Sequence, residues 1–377
     1  MEELKPVDTC IVGAGPAGLA VAARLRKAGV SYTLIERGPK AGWSWHNHYE
    51  RLHLHTIKEF SHLPFLPFPE AYPRYVSRGD FAKYMEDYAS TLQLDPQFEE
   101  TLFGVQRTDE GWQVKTCKRE FTAQRVVFAT GYNRIPNMPA YEGLDDYKRE
   151  VMHSQDYRHA RDLAGKDVLV IGMGNTGAEI ALDLCDQGAS AFISVRNPVN
   201  IIPRDFLGRP AQKTAIMLNK LPEGLRDSLG NLLQKLTIGD LSKYGLPSPE
   251  YSPSYQVREH GRIPVIDLGT VAEIKKGAIK VLPGILRFES DQIVFDKGLS
   301  QSFDQVIFAT GYHSKIEEFL PEVKPLLNKR GQPDHLWYQE LPGIYFIGFA
   351  APSTGILRSI YQNSEALAED IISHQGE

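Results

Sequence analysis

Thr9-Cys10-Ile11-Val12-Gly13-Ala14-Gly15-Pro16-Ala17-Gly18, running on into the helix-forming stretch Leu19 to Lys27, reads as a strand, a glycine turn and a helix in immediate succession. Each glycine of this GxGxxG has a physical task. Gly13 permits the tight turn, Gly15 lets the backbone approach a pyrophosphate, and Gly18 lets the helix pack close against the strand. The helix start then offers unpaired N–H groups and a positive dipole end to phosphate oxygens. A second strand, Ser31 to Ile35, ends on Glu36, 18 residues past Gly18. A carboxylate there can accept hydrogen bonds from ribose hydroxyls.

The same grammar returns 159 residues later, at Val168-Leu169-Val170-Ile171, Gly172-Met173-Gly174-Asn175-Thr176-Gly177 and a helix to about Gln187. Apolar runs without alternation suit buried parallel strands. Two more strands close with matching signatures, Val126 to Phe128 before Ala129-Thr130-Gly131-Tyr132 and Val306 to Phe308 before Ala309-Thr310-Gly311-Tyr312. This is an internal repeat of architecture. The expected fold class is α/β, with two Rossmann-like dinucleotide-binding domains. The expected boundaries are 1–155 plus 313–377 for the first domain and 156–312 for the second, with a helical insertion at about 208–250. In that insertion Ile216, Met217, Leu221, Leu225, Leu229, Leu232, Leu233 and Leu236 fall near helical spacing. Such a stripe suits a subdomain covering its own core. A substrate lid, a homodimer surface and a membrane-facing patch are the other readings.

Composition bounds the function. At 377 residues, 42% hydrophobic and 24% charged, the chain suits two globular domains. A net charge of -5 and a pI near 6.2 give no reason to expect nucleic acid as a partner. No apolar run reaches the length of a transmembrane helix. The charged start, Met1 to Asp8, leads into the first strand and does not read as a signal peptide. Cys10, Cys117 and Cys185 are far apart and form no CxxC pair, which fits a cytoplasmic protein and removes the redox dithiol of disulfide reductases.

The first glycine turn, with its following acid, is read as an FAD site. Ala41 to Trp45 and Tyr49 to His55 lie just beyond the acid, where a segment can wrap a flavin. The second turn differs at one informative place. Its next strand ends in Ser194-Val195-Arg196, a cation where the first has a carboxylate. An arginine attracts a 2′-phosphate and a carboxylate repels it, so this site is expected to prefer NADPH, with Arg204 assisting.

With both turns and both closing signatures placed, the sequence resembles the flavin-containing monooxygenases, and within them the YUCCA-type enzymes of plants and their bacterial relatives. The likeness spans nearly the whole chain. It runs from Gly13 to Leu25 through Tyr49 to His55, Leu63-Pro64 to Phe68-Pro69, Tyr72-Pro73 and Phe81 to Tyr88. It continues at Gly172 to Gly177, Ile202 to Gly208, Lys243 to Leu246, Ile263 to Asp267 and Ala309 to Tyr312. The resemblance implies a glutathione-reductase-like arrangement and roles at matching positions. Gly13, Gly15, Pro16, Ala17, Gly18, Glu36, Arg37, Trp45, Arg51, Leu52, His55, Ala129, Thr130 and Gly131 would serve FAD. Gly172, Gly174, Asn175, Thr176, Gly177, Arg196 and Arg204 would serve NADPH. Thr310, Gly311, Tyr312, Gly348, Gly355 and Leu357 complete the cofactor set, the last three near the flavin ring at the start of the final helix. There are departures. The family's FxGxxxHxxx(F/Y) stands here as Tyr147 to Tyr157, keeping His153 and Tyr157 but carrying Tyr147 and Arg149 for phenylalanine and glycine. The usual GGxW is Gly42-Trp43-Ser44-Trp45.

The resemblance implies that NADPH reduces the flavin, and that O2 then yields a C4a-(hydro)peroxyflavin that oxygenates a small organic substrate. The use is either decarboxylation of an α-keto acid, as YUCCA-type enzymes convert indole-3-pyruvate to indole-3-acetate, or N- or S-oxygenation. Asn175 is the candidate catalytic residue, an amide donor near the nicotinamide or the oxidant, with Asn197 a second. As a plain turn former, Asn175 has an equally ordinary reading. An NADPH oxidase or reductase with another acceptor, and a flavin-binding redox sensor, are the alternatives. Five of the 11 histidines lie between His46 and His62, but their spacing suits an extended segment and no metal is expected. Asp145-Asp146 and Glu99-Glu100 read as solvated loops, and no GxSxG elbow occurs.

Overall fold

The computed structural model describes residues 7–374. The charged start up to Pro6 lies outside the described residues. The chain divides into two compact units, Met1–Asn47, Thr56–Ile135 and Tyr312–Glu377 forming one, His48–His55 and Pro136–Gly311 the other.

In the first unit, β1 (Val7–Val12) leads through the first glycine turn into α1 (Pro16–Lys27) and β2 (Tyr32–Ile35). A one-turn α2 (Trp43–His46) and α3 (Arg78–Thr91) follow. The meander β3 (Leu102–Thr108), β4 (Gly111–Thr116) and β5 (Glu120–Phe128) completes the sheet, in the order β2-β1-β5-β4-β3. β1 pairs in parallel with both neighbours, Cys10 opposite Thr33 and Val126. Those strands are covered on both faces, which is why Cys10, Ile11 and Val12 are all buried. β4 is antiparallel to β3 and β5 and alternates instead, burying Trp112, Val114 and Thr116. The strand Ile344–Phe346 joins the end of β5 in parallel, Phe346 opposite Phe128. The last helix, Ile356–Ser373, packs on α1 through Leu357, Ile360, Ser364, Leu367 and Ile371, spaced three and four apart. Arg24 ties the two helices by donating from Nε to Ser364 Oγ at 3.0 Å.

The second unit holds five parallel strands in the order Ile279–Leu282, Ser190–Ser194, Asp167–Ile171, Gln305–Phe308, Glu150–His153. Its glycine turn opens α4 (Asn175–Asp186). A three-stranded antiparallel sheet, Ile285–Phe288, Ile293–Phe295 and Ser300–Gln301, follows the edge strand. The fold is therefore α/β with two dinucleotide-type units.

The partition departs from the sequence reading in three places, the smallest being Tyr312, which falls in the first unit. The boundary falls at 135 to 136 rather than 155 to 156, because Glu150–His153 pairs with Gln305–Phe308, His153 opposite Phe308. And His48–His55, expected in the first domain, belongs to the second. The insertion is helical, Ala211–Leu218 and Glu223–Thr237, but it does not bury its own stripe. No residue of Glu223–Thr237 is buried, and Leu225, Leu232 and Leu236 are exposed.

Candidate cofactor and active site

The two glycine turns are built alike. Gly13 and Gly172 take positive φ, 105° and 100°, a region open to glycine at little cost. A Cβ at either would stand 2.8 Å from the carbonyl oxygen of Ala129 or Ala309, the first residue of the closing signature. The signatures thus recur because each closing strand runs hard against its glycine turn. Backbone bonds hold the junction in both units, Ala129 N to Val12 O and Ala309 N to Ile171 O, each 2.9 Å. Gly18 and Gly177 face Gly13 and Gly172 so closely that a Cβ would overlap the carbonyl oxygen. The middle glycines differ from these. A Cβ at Gly15 or Gly174 would meet nothing within 4 Å, so open space lies over the helix start. Both are N-cap residues with no side chain capping the helix, which leaves N–H donors of α1 and α4 facing that space.

Around the first turn, Glu36 is buried and accepts from two backbone donors, Ala14 N–H on Oε2 and Gly38 N–H on Oε1, both 2.8 Å. It orders the turn itself, and a carboxylate keeps lone pairs for ribose hydroxyls. Arg37 beside it is exposed. Pro16 starts α1, where its missing N–H costs nothing, and Ala17 lies under Gly348, whose Cβ would stand 3.1 Å from that of Ala17. Gly348 has φ 85° and Gly355, the N-cap of the last helix, φ 100°. Leu357 is buried behind it. The Thr130 hydroxyl is buried with no hydrogen-bond partner among the described residues. An orphaned donor next to an uncapped helix start and an open glycine is what a bound pyrophosphate cofactor would complete. The residues present fit a dinucleotide. Gly131 lies beyond with φ 69° and open space at its Cβ. Trp45 stands edge-on to Phe81, centroids 4.5 Å apart, and Gly42 donates to Ala14 O at 2.9 Å, bringing the tryptophan segment to the turn. Trp43, standing where a glycine is usual, packs over Gly38.

Around the second turn, Asn175 opens α4 and its Oδ1 accepts the Ile266 N–H at 2.7 Å. Because a backbone donor fixes which end is oxygen, the side-chain NH2 is left to donate elsewhere. Thr176 follows in the first helical turn. Thr310 Oγ1 donates to Asn137 O at 2.5 Å, and Asn137 N donates to Gly311 O at 2.9 Å, so Asn137 brackets the closing turn. Arg196, beyond the strand Ser190–Ser194, is exposed and forms no ion pair or hydrogen bond among the described residues. Arg204 contacts the neighbouring Asp205 at 3.4 Å. Tyr312 begins the return to the first unit.

Three residues expected to enclose FAD have other partners. Arg51 bonds Asp186 at 2.5 Å, His55 Nε2 lies 2.6 Å from Glu179 Oε1, and Leu52 packs on the second unit's core. Tyr157 donates to Asp183 at 2.5 Å. The cause is an acidic stripe on α4, Glu179, Asp183 and Asp186, which share a helix face and gather Arg51, His55 and Tyr157. Burial and the Asp183 carboxylate push the Tyr157 hydroxyl pKa up. Sequence reading missed this stripe, although its i, i+4, i+7 spacing was there to see. Asn137 carried no signal. The other histidines disperse, His46 to Glu86, His53 to Arg51 O and His62 to Leu63 O. Among the described residues no three metal-ligating side chains converge, and no helix is long and apolar enough to cross a membrane.

Two open glycine cradles, one followed by a carboxylate and one by an arginine, define a two-dinucleotide oxidoreductase of the flavoprotein type. The family model described as pyridine nucleotide-disulphide oxidoreductase matches residues 10–205. An indole-3-pyruvate monooxygenase of Arabidopsis thaliana, YUCCA6, is 38% identical over 96% of this chain and 89% of its own. A rice counterpart, YUCCA4, is 36% identical over 96% and 86%. The flavin-containing monooxygenase of Stenotrophomonas maltophilia shares the fold at a TM-score of 0.75 and 20% identity, covering 98% of this chain and 99% of that one. The bacillithiol disulfide reductase of Staphylococcus aureus does so at 0.72 and 17%, covering 99% and 100%. The chain belongs to the flavin-containing monooxygenases, in the YUCCA-type branch. It is a flavin-dependent monooxygenase with FAD and NADPH as cofactors.

Proposed function

We propose that this enzyme oxygenates a small α-keto acid of the aryl-pyruvate class, the substrate class in the names of its plant relatives. The names of the plant relatives support the substrate class, and the chain adds that two cradles of the same build occur with no CxxC dithiol, so electrons from a bound nicotinamide have no protein dithiol to pass through. When bound, the nicotinamide and flavin would supply the redox and oxygen chemistry. The chain binds and orients. Helix α1 with Gly15 would hold the FAD pyrophosphate, Glu36 the adenosine ribose, and Thr130 would have its hydroxyl free to donate. Helix α4 with Gly174 would hold the NADPH pyrophosphate, and Arg196 would read the 2′-phosphate. Asn175 presents its NH2 donors from the first turn of α4. Cytoplasmic residence belongs to the same reading, from three cysteines without a pairing pattern.

The test is isotopic. Purified holoenzyme with NADPH and 18O2 is given indole-3-pyruvate, phenylpyruvate, an amine and a sulfide, and the products are analysed by mass spectrometry. Labelled arylacetate in stoichiometric balance with NADPH consumed is expected. Peroxide equal to NADPH consumed, with every substrate unchanged, would replace the reading by an NADPH oxidase.

A further inference from the structure

Arg196 has a neighbour of opposite charge that it does not bond. The loop Leu282 to Gly284 runs beside the end of the strand Ser190–Ser194. Ser194 Oγ donates to Pro283 O at 2.7 Å and Val195 N to Leu282 O at 2.9 Å. Asp296, just past the strand Ile293–Phe295, is fastened to the same loop, its N–H donating to Gly284 O at 2.8 Å. Gly284 makes the meeting possible. A Cβ there would lie 2.8 Å from Asp296 Oδ2 and 3.3 Å from Arg196 Cγ. The carboxylate and the arginine stem are therefore within about 6 Å of each other. Yet neither side chain has a hydrogen bond or ion pair among the described residues, Asp296 half-buried and Arg196 exposed.

Neither charge is neutralised by the other, so both remain available at the end of this strand, the end at which such a unit takes the adenosine ribose. We propose that Asp296 is a specificity-determining residue of the nucleotide site: it accepts a hydrogen bond from a ribose hydroxyl and repels a 2′-phosphate, so that it opposes Arg196 and moderates the preference for NADPH over NADH. This rests on the reading of Arg196 as the 2′-phosphate contact. Asp296 does not hold the guanidinium, so removing its charge removes repulsion without freeing Arg196. At an assumed separation of about 7 Å in a water-like dielectric, a phosphate of nearly two negative charges would be disfavoured by a carboxylate about fivefold.

The experiment measures dissociation constants of 2′,5′-ADP and 5′-AMP on the FAD-loaded protein by calorimetry. These probes report the adenosine end alone and need no turnover. In Asp296→Asn the affinity ratio of 2′,5′-ADP over 5′-AMP is expected to rise about fivefold, and in Asp296→Glu to stay near the native value. An Asp296→Asn ratio within twofold of native, or weaker 2′,5′-ADP binding, overturns the proposal. Arg196→Gln separates the two layers: an unchanged 2′,5′-ADP affinity in that variant would remove the arginine reading, and this inference with it. Among the described residues Asp296 carries no side-chain bond on which the fold depends, so unchanged circular dichroism is expected in both of its variants.

Discussion

The glycine turns allow a separation of folding from binding that four substitutions can read. In Gly18→Ala the new Cβ falls on the carbonyl oxygen of Gly13 and 3.3 Å from Ile11 Cγ2, both parts of the strand and turn beneath α1. Neither obstacle is a flexible side chain, so α1 must lift by about 1 Å off a sheet on which eight of its residues are buried. Overpacking of that kind costs about 3 kcal/mol. For a unit of this size that is about 9 °C in melting temperature. Gly177→Ala repeats the geometry against Gly172 O and the Ala309 Cβ at 3.2 Å. Gly15→Ala and Gly174→Ala are the opposite case. Their φ values, -80° and -84°, suit any residue, and their Cβ atoms meet nothing within 4 Å. Apoprotein stability is expected to change by less than about 1 kcal/mol, with a gain from the stiffer unfolded chain. The added methyl stands where a pyrophosphate approaches, so FAD binding in Gly15→Ala and NADPH binding in Gly174→Ala should weaken at least about tenfold. Calorimetric melts of apoprotein and titration with each cofactor give both readouts. Equal melting losses for Gly15→Ala and Gly18→Ala, or full FAD affinity in Gly15→Ala, would refute the division into a packing glycine and a binding glycine.

Tyr157→Phe strips the buried Asp183 carboxylate of its 2.5 Å donor and should cost about 1.5–3 kcal/mol in urea unfolding, whereas a loss below about 0.5 kcal/mol would mean the pair is solvated. His153 is buried as one neutral tautomer, Nε2 donating to Gly311 O at 3.1 Å and Nδ1 accepting from Gln155 N–H at 3.1 Å, and burial holds its pKa below 6.5. The unfolded chain therefore binds the proton first as pH falls through 6.5. The contribution of His153 is complete above that value and declines below it, and His153→Gln should flatten the native slope of stability against pH in this window. Thiol reagent at about pH 8 should label exposed Cys117 first and Cys185, pushed up by burial, more slowly. Cys10, pushed up by burial to about 12, should label only after denaturation, and mass mapping of the adducts checks the order.

Much of the architecture was legible because dinucleotide turns are local. Strand, glycine turn and helix lie within about 20 consecutive residues, and each glycine is demanded by its own backbone angle or its own near contact. The opposite charges of Glu36 and Arg196 were legible for the same reason, since each follows the strand next to its turn. The segment His48 to His55 was not legible in this way. Its sequence follows the first turn closely, yet its charges answer Glu179 and Asp186, more than 120 residues away. Strand Glu150–His153 was likewise given to the wrong side, because a parallel strand's partner is set by a crossover and leaves no trace in its own four residues.

The sequence by itself determined the two nucleotide-type units and the opposite charge after each turn, since short-range backbone sterics and helix-end electrostatics decide these. The tertiary structure decided which side chains remain available to a ligand. It used the Asn175 oxygen on Ile266, closed Arg51 and His55 onto α4, left the Thr130 hydroxyl without a partner among the described residues, and set Asp296 beside Arg196 without joining them. Hydrogen-bond satisfaction and charge pairing are properties of neighbours in space, and these neighbours lie up to 135 residues apart in the chain.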